Sequence, residues 1–197
     1  MCGKLHSDQF DGPSNDLLPY IDRGGISALN AASDTAKDIF KAYHRRLECD
    51  HRLESEDGDP QLIIRVPFIC PVKLRTFTLI GGGDGMAPRS AKFFINHEAL
   101  DFGDAEDGQA VQCFDLVEDD TDGTVEYRTQ FRKFQNVSTL WIFIADNHGG
   151  NRSLISYIGL SGVATGHKRC AVDTVYELLC VDSHNDPLNE GGAWRAH

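Results

Sequence analysis

The sequence predicts an all-β protein, an antiparallel β-sandwich or barrel of about eight strands. From residue 61 onward, short runs rich in β-branched and aromatic residues alternate with Gly, Pro, Asp or Asn. One of these runs, Val137–Ala145, carries apolar side chains on both of its faces. A strand that is apolar on both faces is covered by packing on each side. We therefore expect this run in the middle of the sandwich.

The individual strands follow from the same pattern. The linker Asp146–Arg152 contains Asn and Gly, which tolerate a positive φ, so it separates Val137–Ala145 from the next apolar run. In chain order, the predicted strands are Leu62–Phe68, Val72–Ile80, Ala91–Ile95, Val111–Val117, Thr124–Thr129, Val137–Ala145, Leu154–Leu160 and a weaker Val172–Leu179.

Two details are expected at the start of the sandwich. Pro67 and Pro71 should bracket a short link between the first two strands, because proline cannot donate to a central ladder. Within Val72–Ile80 the apolar positions change parity after Leu74. This change predicts a bulge near Thr76.

The segment before the strands is expected to be helical or irregular. Residues 1–15 are rich in Gly, Asp and Ser and are predicted to form a flexible extension. Further on, Ser33 to Thr35 could cap a short helix through Tyr43 that turns Ile39 and Phe40 inward. One domain over residues 16–180 and a flexible tail over 181–197 complete the predicted organisation.

Composition narrows the classes of function. The chain has 197 residues and a net charge of −11, which repels phosphate backbones. We expect no nucleic-acid partner, and a protein partner with basic patches would suit this charge. No apolar run reaches the roughly 18 residues of a membrane helix, and no apolar leader is present. We therefore expect a protein of the cytoplasm and nucleus without membrane association. We also expect it to be a monomer.

The six cysteines do not predict a metal or redox site. No pair has the C-x-x-C spacing of a zinc knuckle or a thioredoxin-type redox pair. Without a secretory segment a disulfide framework is not expected, so the thiols should be reduced. Cys70 and Cys113 lie in apolar runs and should behave as small core hydrophobes.

The acidic run 118–123 is the strongest local candidate for a ligand site. Counted from its first residue, Asp120, Asp122 and Gly123 match positions 3, 5 and 6 of an EF-hand loop. Position 12 should be a bidentate Glu but is Thr129, and the flanking segments are predicted strands. An acidic hairpin turn is therefore favoured over a calcium site.

Two further motifs do not match the patterns of a phosphate-binding loop or a metal site. The glycine-rich run Gly81–Gly85 follows a strand but lacks the Lys-Ser/Thr of a P-loop, so an inter-strand loop is predicted. His44, Cys49 and His51 match no closed metal site. We accordingly predict no catalytic residue, no metal site and no cofactor.

The C-terminal end offers a candidate for partner binding. Trp194 follows a polar, glycine-containing spacer and could anchor the tail in a partner, since aromatic side chains dominate interface energetics. His197 places an imidazole beside the terminal carboxylate, a possible chelating end. The alternative is a disordered tail without a role. Trp194 and His197 are the predicted partner-binding residues.

Short motifs in a fixed order cover residues 16–162. The most specific is Lys133–Val137 (KFQNV) followed by an aromatic and aliphatic strand and then Tyr157–Leu160 (YIGL), whereas Pro71–Leu74 (PVKL) alone is weak. By these motifs the chain resembles the PITH-domain family, which is defined by the C-terminal half of a thioredoxin-like proteasome-associated protein. The remaining motifs are DLLPYI at 16–21, ALN at 28–30, LESE at 53–56, QLII at 61–64, APRSAKFFIN at 87–96, LDF at 100–102 and AE at 105–106.

The resemblance implies a jelly-roll β-sandwich and association with the proteasome regulatory particle, without a known catalytic site. It thus implies a non-catalytic protein-interaction module rather than an enzyme. The chain lacks a thioredoxin module, so the redox activity of such modules is not carried over. The alternative is a module that binds a small ligand or carbohydrate, as other jelly rolls do. Against it, Trp141 lies within a strand and the loop 84–89 has no aromatic platform for a sugar.

Overall fold

The structure, a computed structural model, describes residues 15–165 of the chain. Its strands pair antiparallel throughout, and the only α-helix of this part is the six-residue α1, Phe102–Asp107. No helix within 15–165 has the length and apolar character needed to cross a membrane. The strands are β1 Ser27–Leu29, β2 Leu53–Glu54, β3 Leu62–Gly81, β4 Pro88–Ile95, β5 Gln112–Asp115, β6 Tyr127–Arg128, β7 Val137–Asn147 and β8 Leu154–Ala164.

The 20-residue strand β3 is shared by two layers. Its first part pairs with β1 and β7, and β7 continues through β4 to β5. Its second part pairs with β6 and with β8, and β8 continues to β2. The two layers face each other, because Phe77 of the second layer contacts Phe93 and Phe114 of the first at centroid distances of 4.6 and 4.8 Å. The predicted all-β sandwich is confirmed.

The prediction that a link between Pro67 and Pro71 separates two strands is wrong. The chain stays extended there, although its register with β7 shifts between Pro67 and Val72. Neighbouring backbone holds this stretch: Asp22 N–H donates to the Pro67 carbonyl at 2.9 Å, and Thr165 N–H donates to that of Pro71 at 3.0 Å. The irregularity predicted near Thr76 is confirmed by a register shift between Leu74 and Thr76.

Strand β7 has both faces covered, as its sequence predicts. Leu140, Ile142 and Ile144 lie in the main core between the layers. On the other face, Trp141 and Phe143 belong to a smaller cluster beneath α1. That cluster is completed by Ile63, Phe94, Leu100 and Ala105.

The predicted helix over residues 33–43 is absent. This stretch forms turns, and only the single 3₁₀ turn Tyr43–Arg45 follows it. Ile39 and Phe40 are nonetheless fully buried, as expected from their spacing. The Ile39 carbonyl accepts from Ile158 N–H of β8 at 3.0 Å, and Thr35 Oγ1 donates to the Arg52 carbonyl at 2.7 Å. Tertiary hydrogen bonds thus replace the ladder of a helix that is too short to be stable alone.

The structure also differs from the predictions at one cysteine and at three short strands. Cys70 is buried as predicted, but Cys113 is exposed, because alternation along the edge strand β5 turns Phe114 inward instead. The predicted strand Thr124–Thr129 shortens to β6, and β1 and β2 have no counterpart among the predicted strands. The predicted strand Val172–Leu179 and the proposed domain boundary at 180 lie outside the described residues.

Candidate functional site

The connection between β1 and β2, residues 30–52, is a long segment without a regular strand. It is held on the sandwich by Ala36, Ile39 and Phe40, whose side chains are at most 1% exposed. Long connections in compact domains are commonly functional, and a rigid scaffold that positions loop residues is the usual arrangement. This connection is therefore the first place to look for a working surface.

A second set of contacts fixes the far part of the connection. Arg46 Nε donates to the Asp122 carbonyl at 2.9 Å, and its guanidinium lies 4.1 Å from the centroid of the Tyr43 ring. Gly123, with φ of 63°, lets the acidic loop approach closely, since a Cβ there would overlap Ile80 Cδ1. The connection is thus docked on the loop after β5.

Three clefts meet around residues 49–52, which we call the 49–52 ridge. The first, about 420 Å³, lies between the ridge and the turn at Arg23 and is lined by Asp38, Lys41 and His51 among others. The second, about 520 Å³, lies between the ridge and the segment from Ala32 to Thr35. A smaller third cleft of about 210 Å³ reaches Gly82 and Thr121.

The two larger clefts are lined by both cationic and acidic side chains, and some of these side chains already form ion pairs. Arg45 and Glu48 form an ion pair at 2.7 Å, and this hydrogen bond lowers the pKa of Glu48. Glu54, at the second cleft, is paired with Arg152 at 3.1 Å. Asp38 and Asp50 contribute further acid to the first cleft.

The remaining cations donate to backbone carbonyls. Arg23 Nη2 donates to the Lys37 carbonyl at 3.2 Å, and Arg52 Nε donates to that of Cys49 at 3.1 Å. Lys41 Nζ donates to the Glu48 carbonyl. Within residues 15–165, none of these three cations forms an ion pair with a carboxylate. These three cations therefore keep N–H groups that are available for an ion pair.

The side chains of the ridge offer binding groups. Cys49 is exposed, and its thiol donates to the Leu47 carbonyl at 3.4 Å. His51 lines both larger clefts with Asp50, whereas His44 lines neither. In the part of the chain that the structure describes, no three His, Cys, Asp or Glu side chains are grouped as a metal site requires.

The acidic run 118–123 holds its own backbone. The carboxylate of Asp120 is buried and accepts from the backbone N–H groups of Thr124 and Val125, both at 2.9 Å, through different oxygens. Thr124 Oγ1 adds a further bond at 3.3 Å. Asp120 therefore acts as the internal cap of a turn, a structural role that agrees with the favoured interpretation.

The glycine-rich run leads into a strand. Gly82 N–H donates to the Leu154 carbonyl at 3.0 Å, and the Gly85 carbonyl accepts from Gly150 N–H at 3.0 Å. Gly85 has φ of 76°, and a Cβ added there would lie 3.0 Å from Gly150 N of the β7–β8 connection. The run is an inter-strand loop that packs on its neighbour, as the sequence predicts.

Sequence reasoning missed the clefts, although Cys49 and His51, which it weighed only as metal ligands, lie on the ridge beside them. Trp194 and His197 fall outside the described residues, so their partner-binding role stays a prediction. Spacing alone does not reveal the 49–52 ridge, because its neighbours come from distant parts of the chain. A change in the local sign of charge near residues 37–52 could have indicated it.

Comparison with known proteins gives a consistent result. Residues 7–179 match the PITH domain family. PITH domain-containing protein 1 of Dictyostelium discoideum is 36% identical over 168 residues, which cover 85% of this chain and 82% of the relative. The human protein of the same name is 32% identical over 154 residues, 78% of this chain and 72% of the relative. Neither is named as an enzyme.

The fold is also found among solved structures. A Clostridium perfringens ZmpB fragment with CBM32-1 and CBM32-2 domains, solved in complex with GalNAc, has a TM-score of 0.51 and 10% identity. The match covers 74% of this chain and 35% of that one, and at this identity it shows the fold alone. The predicted jelly-roll sandwich, of the galactose-binding-like kind, is thereby confirmed. With a family match across most of its length and relatives above 30% identity, the chain belongs to the PITH-domain family.

Proposed function

We propose that the chain is a non-catalytic protein-binding module that associates with the proteasome regulatory particle. The main support is the family match over residues 7–179, because resemblance to the PITH-domain family implies this association. The rigidly anchored connection between β1 and β2, with its mixed-charge clefts, supports a role in binding. In this proposal the protein acts as a monomer in the cytoplasm and nucleus.

Affinity purification of the tagged full chain tests this proposal. The tagged chain is expressed at a low level, and cytosolic and nuclear extracts are captured separately and analysed by mass spectrometry. We expect regulatory-particle subunits to be enriched over a tag-only control. A bait that recovers no such subunit from either extract contradicts the proposal.

Carbohydrate binding is the alternative, and its support is the fold shared with the CBM32 domains. Two observations weigh against it. Trp141 is buried, and its Nε1 donates to the His97 carbonyl at 3.0 Å. Phe131, an exposed aromatic side chain, has the guanidinium of Arg75 over its ring at 5.5 Å. Titration with GalNAc, followed by calorimetry, separates the two functions, since saturable heat would favour the sugar.

A further inference from the structure

A basic surface lies where β6 and the residues after it pack beside the second part of β3. Residues 71–76 and 127–135 contain five Lys or Arg and no Asp or Glu, whereas the whole chain has 19 against 30. Arg75, Arg128, Arg132 and Lys133 are exposed, and Lys73 is half-buried. Cations grouped in this way on an acidic protein create a local positive potential, which attracts carboxylates.

The backbone that carries these cations is fixed by hydrogen bonds to β3. Thr129 N–H donates to the Arg75 carbonyl at 2.8 Å, and Thr129 Oγ1 donates to the Leu74 carbonyl at 2.8 Å. Further along, Leu74 N–H donates to the Phe134 carbonyl at 3.1 Å, and the Phe134 side chain is fully buried. The cations therefore stand on a rigid part of the sandwich, which reduces the entropy that binding costs.

The charges of this surface are available to a partner. None of its five cations forms an ion pair with a carboxylate of residues 15–165. Lys133 uses one of its three ammonium donors on the Val111 carbonyl, at 3.1 Å. Two acids lie at the margins: Glu126 precedes β6, and Asp16 pairs with Ser161 of β8. Neither neutralises the cations between them.

Two exposed apolar side chains border the same cations. Phe131 is 41% exposed, and the guanidinium of Arg75 lies 5.5 Å from its ring centroid. Val163 of β8 is 38% exposed and is the cross-strand partner of Lys73, so the two side chains project from one face of the sheet. Protein interfaces are built around a few apolar or arginine side chains of this kind.

We propose that Lys73, Arg75, Arg128, Phe131 and Arg132 form a docking surface for an acidic segment of another protein, one that also carries an apolar side chain. We call these five residues the Arg75 surface. The carboxylates of the segment would pair with the arginines, since a guanidinium fork matches a carboxylate. Its apolar side chain would pack against the exposed edge of the Phe131 ring.

The Arg75 surface is distinct from the clefts beside the 49–52 ridge. None of its five residues lines any of the three clefts. Strand β8 begins at Leu154, which borders the third cleft, whereas Val163 beside the Arg75 surface is next to the last residue of that strand. The inference therefore goes beyond the proposed function, and binding at this surface can be measured without the regulatory particle.

An acidic polypeptide suits the Arg75 surface better than a nucleic acid. A nucleic-acid strand is a continuous row of phosphates, and it would extend from this surface over a protein with a net charge of −11. The guanidinium of Arg75 also lies over the Phe131 ring, on which a base would otherwise stack. A polypeptide can place a few carboxylates opposite the arginines and end its acidic stretch at the margin.

Fluorescence anisotropy with defined probes tests the inference on the full chain. The probe is a labelled synthetic peptide of glutamates around one central leucine, and its glutamine counterpart and an oligodeoxythymidine serve as comparisons. We expect saturable binding of the glutamate peptide that weakens with salt, and no saturable binding of the glutamine peptide. Arg132→Glu should raise Kd roughly fivefold to tenfold, because a reversal replaces an attraction with a repulsion. Phe131→Ser should raise Kd by about threefold or more.

The matched control is Arg89→Glu, which changes the net charge equally at an exposed site. Arg89 lies near the end of β7, where β4 pairs with Asn147, whereas the Arg75 surface lies near its start, where β3 pairs with Val137. The Kd of this control should stay within about twofold of the parent. Arg128→Glu provides a second reversal if Arg132→Glu lowers the melting temperature.

Several results would overturn the inference. They are a glutamate peptide that does not bind, an Arg89→Glu variant that weakens binding as much as Arg132→Glu, and an oligodeoxythymidine that binds as tightly as the peptide. Sedimentation velocity tests a different occupant, a second copy of this chain. A dimer of the parent that Arg132→Glu abolishes would mean that the surface joins two copies, and it would also overturn the inference.

Discussion

At the scale of single residues, Gly162 of β8 shows how closely the strands approach. It pairs with Leu74 of β3 beside the bulge, and a Cβ at this position would overlap the Lys73 carbonyl. The obstacle is backbone, which cannot move aside without breaking the ladder. We predict that Gly162→Ala lowers the free energy of unfolding by about 1–3 kcal/mol, the usual cost of overpacking. Urea denaturation measures the change.

Gly83→Ala is the matched control, because an added Cβ there has no atom within 4 Å. Its free energy of unfolding should stay within about 0.5 kcal/mol of the parent. If both alanine variants had the same stability, close packing would not explain why position 162 is a glycine.

The phenol of Tyr157 couples stability to alkaline pH. Burial, reinforced by the charge of Asp16, raises the pKa of Tyr157 to about 12, against an ordinary value of 10.0. The unfolded chain therefore loses this proton first, and the contribution of Tyr157 is complete below pH 10 and disappears as the pH rises to about 12. We predict that Tyr157→Phe shows a smaller loss of stability across this window, measured by urea denaturation at several pH values.

Asp16→Asn gives an independent check on the cause. Asn can still accept the hydrogen bond that Leu18 N–H donates to this side chain at 2.9 Å, but it removes the charge. The Tyr157 phenol should then titrate at a lower pH, as followed by the ultraviolet absorbance of tyrosinate. An unchanged titration would mean that the charge of Asp16 does not contribute.

At the scale of elements, the connection between β1 and β2 depends on two side chains. Ile39 and Phe40 are fully buried in the main core, although their backbone forms turns. We predict that Phe40→Ala costs about 3–5 kcal/mol of stability, the range for removing a buried aromatic ring. It should also raise amide hydrogen exchange across residues 30–52 more than in β7, whose backbone is paired on both edges by β3 and β4.

Leu47→Ala is the control within the same connection, because that side chain is 52% exposed. Its stability should change by no more than about 0.5 kcal/mol. Exchange that rises equally in β7 and in the connection after Phe40→Ala would mean that the two unfold as one unit.

The success of sequence reasoning differed between elements for physical reasons. Strand β7 was predictable because both of its faces are apolar, and its side chains fill two clusters. The helix over 33–43 failed because Thr35 and Ile39 make their hydrogen bonds to distant residues. Strand β6 is shorter than predicted because Asp120 takes the N–H groups of Thr124 and Val125 away from a ladder.

The candidate site was less predictable than the fold. Hydrophobic alternation reports which face of a strand is buried, but it says nothing about which loops meet. The 49–52 ridge borders Arg23 on one side and Gly82 on another, contacts that only the folded chain brings together. The one local signal was the reversed charge of residues 37–52.

At the scale of the whole molecule, the same sandwich serves different kinds of binding. The CBM32 domains share its fold at 10% identity, so the framework does not dictate the ligand. On that framework this chain carries the mixed-charge clefts beside the 49–52 ridge. Binding through the ionic groups of these clefts should weaken with salt, whereas binding through an aromatic anchor should depend on it less.

The predicted anchor at the C-terminus can be distinguished from binding through these clefts by this difference in salt dependence. We predict that deletion of residues 194–197 lowers capture of the regulatory particle from extracts without changing the melting temperature. Trp194→Ala should reproduce most of the loss if the indole supplies the energy, because aromatic side chains dominate interfaces. His197→Ala should reproduce it only if the chelating end takes part. Quantitative mass spectrometry of captured subunits measures each effect.

Salt dependence then assigns the contribution of each surface. If the tail anchors the chain through Trp194, capture by the deletion variant should fall more steeply with salt than capture by the parent, because only the ionic contacts of the clefts remain. Arg52→Glu, which removes a cation from the second cleft, should show the reverse, a residual capture that salt affects less. Equal capture by the deletion variant and the parent at every salt concentration would contradict the anchor and leave the connection between β1 and β2 as the remaining candidate surface.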